Sequence, residues 1–279
     1  PAMNVRMWEH QSTKDNIKVL RGYGYRLIGP VIGDMACGEF GEGKMSDPLE
    51  IFNEIRNFLF YRIKNKKIKA LVTAGPTNEY IDPVRFITNK SSGKQGYEIA
   101  KSLFKRGFDT TLISGPTNLN IDEDINLIKV ETAEEMFKAT QKNLPADIAI
   151  FSAAVADFKI DKKNKNKIKK QENLTINLEK NIDILNYVSN HNSMRPKLVI
   201  GFAAETNDLD KNAISKLVSK NCDWIIANDI SKEDSGFDSN YNEVVIHYKN
   251  PKNKKEKLSF KKKSEISEEI VDRIATQFN

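Results

Sequence analysis

From residue 69 to the end, short apolar runs alternate with amphipathic stretches, and most runs stop at a polar or glycine-containing loop. A strand covered on both faces reads as a continuous apolar run, and the helix returning the chain to a parallel neighbour reads with a 3.6-residue period. Apolar runs at 69–74, 109–114, 127–131, 147–152 and 197–202, with helical stretches at 92–106 and 132–142, therefore predict an α/β fold. The expected architecture is a Rossmann-like, mostly parallel sheet with helices on both faces. Further on, 209–221 reads as helix, 223–227 and 243–248 as strands, and 264–277 as a closing helix. Residues 174–178 alternate like a strand and 181–185 open a helix. Such sheets collect ligands at the carboxyl ends of their strands.

The residues before 69 follow no such rhythm. A polar helix at 11–20, one strand at 25–32, a glycine-rich loop at 34–45 and a helix at 48–61 are too few elements to close a core. Residues 1–60 are thus expected to be the remnant of a domain, 61–68 a basic linker and 69–279 a complete domain. The opening Pro1 is expected of a processed, trimmed or incomplete product.

Composition excludes several classes. Hydrophobic residues make up 39% of the 279 and charged residues 29%, as in a globular protein. No apolar run approaches the roughly 20 residues of a membrane span and no signal peptide is visible, so a cytoplasmic protein without membrane contact is expected. The net charge of +6 suits anionic ligands, but it gathers in lysine runs at 64–69, 162–170 and 252–263. Such runs usually form solvated faces, and without interleaved aromatics they predict no nucleic-acid binding. Cys37 and Cys222 are the only cysteines, with no zinc or disulfide spacing, and no metal ligands are assigned.

Residues 70–96 carry the clearest chemistry: a strand, the loop Gly75-Pro76-Thr77, a polar segment with Arg85 and Asn89, and a helix start at Ser91-Ser92-Gly93. Arginine's fork and a helix amino end together suit a phosphate or carboxylate. Asp157, Lys167, Lys216 and Lys220 suit a nucleoside triphosphate, and Lys216 and Lys220 share one helix face. Each residue also has an ordinary structural reading, as a surface arginine, a helix-capping neighbour, a strand end or an exposed lysine. The glycines match neither the P-loop nor the dinucleotide spacing.

The ordered set Gly75-Pro76-Thr77, 82–89, 91–94, 153–157, 167–170, 201–206 and 227–229 resembles bacterial phosphopantothenate–cysteine ligases across 69–279. The opening Pro1-Ala2-Met3-Asn4 with Met7-Trp8, and the loop Ala36-Cys37-Gly38, resemble the end of the flavin-dependent phosphopantothenoylcysteine decarboxylases. Together they resemble the carboxyl-terminal portion of the bifunctional coenzyme A biosynthesis family. That resemblance implies a ligase using CTP and Mg2+, with 4′-phosphopantothenate and L-cysteine as the other substrates, and FMN only alongside a preceding half. It assigns substrate contacts to Asn4, Arg85, Asn89, Ala153 and Ala154. CTP contacts fall to Asp157, Lys167, Ile182, Asp183, Ile184, Leu185, Phe202, Lys216 and Lys220. Catalytic roles fall to Asn89, Arg85 and Lys167, with Cys37 the decarboxylase proton donor.

The family has proline where Ile182 stands. The resemblance further implies a homodimer through the ligase domain, with 174–178 or 243–248 supplying the contact, and a higher homo-oligomer in the full-length protein. The lysine-dense segment around Lys167 is expected to be a flap with little to pack against. The competing readings are a nucleotide-binding oxidoreductase on the same kind of sheet and a basic nucleic-acid or regulatory module.

Overall fold

A computed structural model describes residues 2–36, 38–60, 68–121, 124–169, 174–205, 207–229, 239–251 and 254–278, with backbone alone for 56–60. Cys37, positions 61–67 of the expected linker, Lys170, Thr206 and part of the expected turn at 236–240 lie outside the described residues. The chain divides into two compact units, Pro1–Lys64 and Asn65–Asn279.

The first unit contains α1 (Val5–Glu9), α2 (Gln11–Gly22), an antiparallel pair β1 (Val31–Asp34) and β2 (Phe40–Lys44), and α3 (Pro48–Phe60). The strand expected at 25–32 is found only from Val31. Gly29 turns to φ +72° and Pro30 has no N–H to donate, so pairing starts after them. Asn4 caps α1, its Oδ1 accepting from Arg6 N–H at 2.9 Å while its Nδ2 donates to Glu39. Among the described residues of this unit only Gly43 and Ser46 are buried, and Met7, Phe40, Leu49 and Phe52 stand largely exposed.

The second unit runs β3 (Lys69–Ala74), β4 (Asn78–Tyr80), β5 (Phe86–Thr88), α4 (Lys94–Lys105), β6 (Asp109–Ser114), β7 (Asn126–Lys129), α5 (Ala133–Lys142) and β8 (Ile148–Phe151). It continues with β9 (Phe158–Ile160), β10 (Leu178–Lys180), α6 (Ile184–Ser189), β11 (Leu198–Glu205), α7 (Leu209–Ser219), β12 (Trp224–Asp229), β13 (Tyr241–Tyr248), β14 (Lys255–Lys262) and α8 (Lys263–Phe278). The main sheet has the order β14-β13-β12-β11-β8-β3-β6-β7. Strands β7 to β12 in that order pair in parallel, and β13 and β14 add an antiparallel edge.

The expected fold class is therefore the observed one, and its core follows from the apolar runs. Leu71, Leu112, Ile148, Ile150, Ile200, Ile225 and Ile246 are fully buried in the sheet. Helices α5 and α6 cover one face through Met136, Ile184 and Val188, and α7 extends that layer through Ala213 and Leu217. Helix α4 packs on β3 and against α8. Thr132 caps α5, its Oγ1 accepting from Glu135 N–H at 3.2 Å. No helix of the described residues is long and apolar enough to cross a membrane.

Three local readings are corrected. The strand expected at 174–178 is shifted to 178–180, overlapping only at Leu178, where β10 pairs with β9 through Leu178↔Ile160. Much of the lysine run at 252–263 is strand β14, with Leu258 turned into the core and lysines on the edge, a composition that keeps a sheet edge from pairing further. Helix α4 starts at Lys94 rather than 92, because Gly93 sits in the left-handed region at φ +76°. A Cβ there would meet Thr117 Cγ2 at 2.8 Å, so the turn into α4 accepts only glycine without strain.

Candidate active site

The chain leaves β3, lays β6 and β7 to one side, then returns to place β8 on the other. The sheet's winding thus reverses between β3 and β8, and the loops after these two strands diverge there. A cleft of about 700 Å³ opens at this point. Its floor is made by Thr73, the loop 152–156, Phe202 and Asn228 at the carboxyl ends of β3, β8, β11 and β12. One wall is 89–96 at the start of α4, and the other is 181–185 with Lys216 and Lys220. The volume falls within the few hundred to a thousand Å³ typical of sites that enclose a small molecule.

The walls are held by backbone bonds between distant loops. Ala154 N–H donates to Gly75 O at 2.9 Å, and Ala156 N–H to Thr77 Oγ1 at 3.0 Å. The Gly-Pro-Thr turn after β3 therefore supports the loop after β8. Asn89 joins the same loop, its Nδ2 donating to Val155 O at 3.1 Å, which leaves Oδ1 for a ligand. Asn181 N–H donates to Asp157 O at 2.8 Å and ties the second wall to the floor. Asp183 caps α6, its Oδ1 accepting from Asn186 N–H at 2.9 Å, so a six-residue helix points its amino end along this wall.

Six lysines line the cleft, Lys90, Lys94, Lys180, Lys216, Lys220 and Lys263, and two of them stand on the second wall. Lys216 lies in α7 and Lys220 caps its end, and both side chains are about one-third to two-fifths exposed. Each meets a carboxylate: Lys216 Nζ lies 2.9 Å from Glu205 Oε1, and Lys220 Nζ pairs with Asp183. The wall can thus exchange an internal anion for an external one. Among the described residues no group of three or more His, Cys, Asp or Glu gathers as a metal site.

Asn89, Ala153, Ala154, Asp157, Ile182, Asp183, Ile184, Leu185, Phe202, Lys216 and Lys220 all line this one cleft. Arg85 and Lys167 do not: Arg85 belongs to the β4–β5 hairpin and Lys167 to the segment between β9 and β10. Residues 161–167 are exposed, with as little packed against them as expected, and the segment is tethered where Asn164 N–H donates to Ile81 O at 3.0 Å and Ile168 is bonded to Asp82. Sequence reasoning missed Asn242 and Lys263, which close the far end of the cleft from β13 and α8. Gln95 braces them, accepting from Asn242 Nδ2 at 3.2 Å and donating to Ser267 Oγ at 2.8 Å. No local motif marks these residues; only the order of strands brings them to the site. Cys222 is buried, which pushes its thiol up to about 12, so it is inert packing.

Fold and cleft together define a Rossmann-like α/β domain with a site sized and charged for a polyanionic small molecule. The Gly-Pro-Thr turn and the intervening hairpin leave no glycine turn against a dinucleotide, so the oxidoreductase reading is unsupported. Residues 65–278 match the family described as DNA/pantothenate metabolism flavoprotein C-terminal domain, and residues 1–60 match the flavoprotein family. The chain is 40% identical over its whole length to the coenzyme A biosynthesis bifunctional protein CoaBC of Haemophilus influenzae, of which it spans 69%. It is 43% identical to the Vibrio cholerae protein of the same name over 89% of the chain and 63% of that relative. A crystal structure of the C-terminal domain of a CoaBC protein superposes with a TM-score of 0.63 at 36% identity, covering 75% of this chain and 94% of that one. The chain belongs to the CoaBC family of coenzyme A biosynthesis proteins.

Proposed function

We propose that the second unit joins 4′-phosphopantothenate to L-cysteine at the expense of CTP. The carboxylate of phosphopantothenate attacks the α-phosphorus and pyrophosphate leaves. The amine of cysteine then attacks the acyl carbon of the acyl-cytidylate, CMP departs, and the amide remains. The observation that carries this reading is the convergence in one cleft of Asn89, the 153–154 backbone, the 181–185 loop, Phe202 and the two lysines. Reaction between two polyanions needs them held together and their charge offset, with little covalent work left to the protein.

In this reading Lys216 and Lys220 leave their carboxylates for the triphosphate, Phe202, Asp157 and the 181–185 loop hold the nucleoside, and Asn89 orients the acyl group for the second step. Asp183, freed from Lys220 on the cleft wall, would be the carboxylate to hold Mg2+, which takes one or two carboxylates with substrate oxygens and would offset phosphate charge. Arg85 and Lys167 serve the first step, from a moved segment or from a second copy in a homodimer. Mixing Arg85→Ala with Lys220→Ala protein separates the two, since regained activity requires a second copy.

Residues 1–60 belong in this reading to the decarboxylase, with Asn4 touching substrate and Cys37 donating a proton. The described residues of that unit enclose no core on which a flavin ring would pack. The test of the ligase is pyrophosphate release with CTP and Mg2+. Release that depends on phosphopantothenate and prefers CTP to ATP is expected, and no release from folded protein would overturn the reading.

A further inference from the structure

The β4–β5 hairpin tip is built around one carboxylate. Asp82 is fully buried, and its Oδ1 accepts from the N–H groups of Val84 at 2.8 Å and Arg85 at 2.9 Å. Its Oδ2 accepts from Arg85 Nη1 at 2.9 Å and from the N–H of Ile168, far along the chain, at 3.1 Å. Arg85 Nη1 also donates to Ile168 O at 3.3 Å. Both backbone groups of Ile168 are therefore held by the Asp82–Arg85 pair. Nearby, Lys163 Nζ lies 4.7 Å from the centre of the Tyr80 ring and strengthens the same junction.

This arrangement leaves a useful part of Arg85 open. Among the described residues only its Nη1 has a protein acceptor, so the Nε and Nη2 edge, the two-pronged one, remains available on a side chain 41% exposed. Lys167, one residue before the pinned Ile168, is exposed. Burial alone would raise the Asp82 carboxyl, but the N–H groups of Val84, Ile168 and Arg85 and the guanidinium outweigh it and hold the group below its usual range.

We infer that Asp82 is a positioning residue that fixes Arg85 and Lys167 at one spacing and turns the free edge of the guanidinium toward an anionic substrate group. Its effect on turnover rests on the ligase reading above, while its effect on the segment does not. Asp82→Asn keeps the shape but replaces one acceptor oxygen with a donor and removes the charge. Trypsin cleavage after the lysines of 162–169 is expected to rise at least about tenfold, the consequence of losing one charge-assisted hydrogen bond. The kcat for pyrophosphate release is expected to fall by about the same factor, with KM for CTP within about twofold.

Ile168→Pro deletes the N–H that this segment gives to Asp82 and is expected to reproduce both effects even where Asp82→Asn does not fold. Wild-type cleavage and kcat in these variants would overturn the proposal. So would a loosened segment with normal pyrophosphate release while Arg85→Ala and Lys167→Gln abolish it. Normal release in Arg85→Ala and Lys167→Gln themselves would instead remove their catalytic roles, and with them the functional half of the proposal.

Discussion

Replacing Lys220 and Glu205 separately should move CTP affinity in opposite directions. Without nucleotide, Lys220 is neutralised by Asp183 and Lys216 by Glu205, whose Oε1 lies 2.9 Å from Nζ. These side chains are partly open to solvent, so each pair is worth about 0 to 1 kcal/mol. A charged hydrogen bond to phosphate is worth roughly 1.5–3 kcal/mol, so exchanging carboxylate for phosphate favours binding by about 1–2 kcal/mol per lysine. Lys220→Ala forfeits that gain and leaves Asp183 unneutralised beside the phosphates. Its Kd for CTP should rise roughly ten- to a hundredfold. Glu205→Gln removes the competing anion and should lower Kd about two- to fivefold. Isothermal titration at two salt concentrations reads both, and added salt should shrink each difference. Unchanged affinity in Lys220→Ala, or any weakening in Glu205→Gln, would refute the exchange.

Asn89→Asp should slow the second step and let acyl-cytidylate build up, seen by quenching single turnovers; normal turnover would remove Asn89 from that role. Ile200→Ala, in the middle of β11 with no exposed surface, should cost about 2–5 kcal/mol by urea denaturation followed through the buried Trp224. Glu256 accepts from Arg273 Nε at 2.7 Å, and these bonds hold its carboxyl down at about 2. Because the folded value lies below the unfolded one, this stabilisation is present above about pH 4.5 and is lost as pH falls toward 2. Glu256→Gln should therefore lower stability by roughly 1 kcal/mol at pH 7, discounting for its partial exposure, and by nothing near pH 2. An equal loss at both pH values would show that packing, not charge, is responsible.

The continuous apolar runs of β3, β6, β8 and β11 made the sheet legible, because strands buried on both faces leave little choice of residue. Strand β14 was hidden for the opposite reason: an edge strand with one inward leucine and a row of lysines has the composition of a solvated run. The cleft residues at loop ends could be placed, since each follows an identifiable strand or opens a helix. Asn242 and Lys263 could not, as they reach the cleft only through the order of β12, β13 and α8. The tether of Ile168 was equally invisible, since Asp82, Arg85 and Ile168 meet across two irregular segments with no shared period.

The most direct measurement is the structure of the chain bound to CTP. The triphosphate is expected between Lys216, Lys220 and 181–185, with its α-phosphorus toward Asn89 and Ala154, and with both lysines released from Glu205 and Asp183. Nucleotide bound elsewhere, or in this cleft with both ion pairs intact, would contradict the assignment of the switch-point cleft as the site of acyl-cytidylate chemistry.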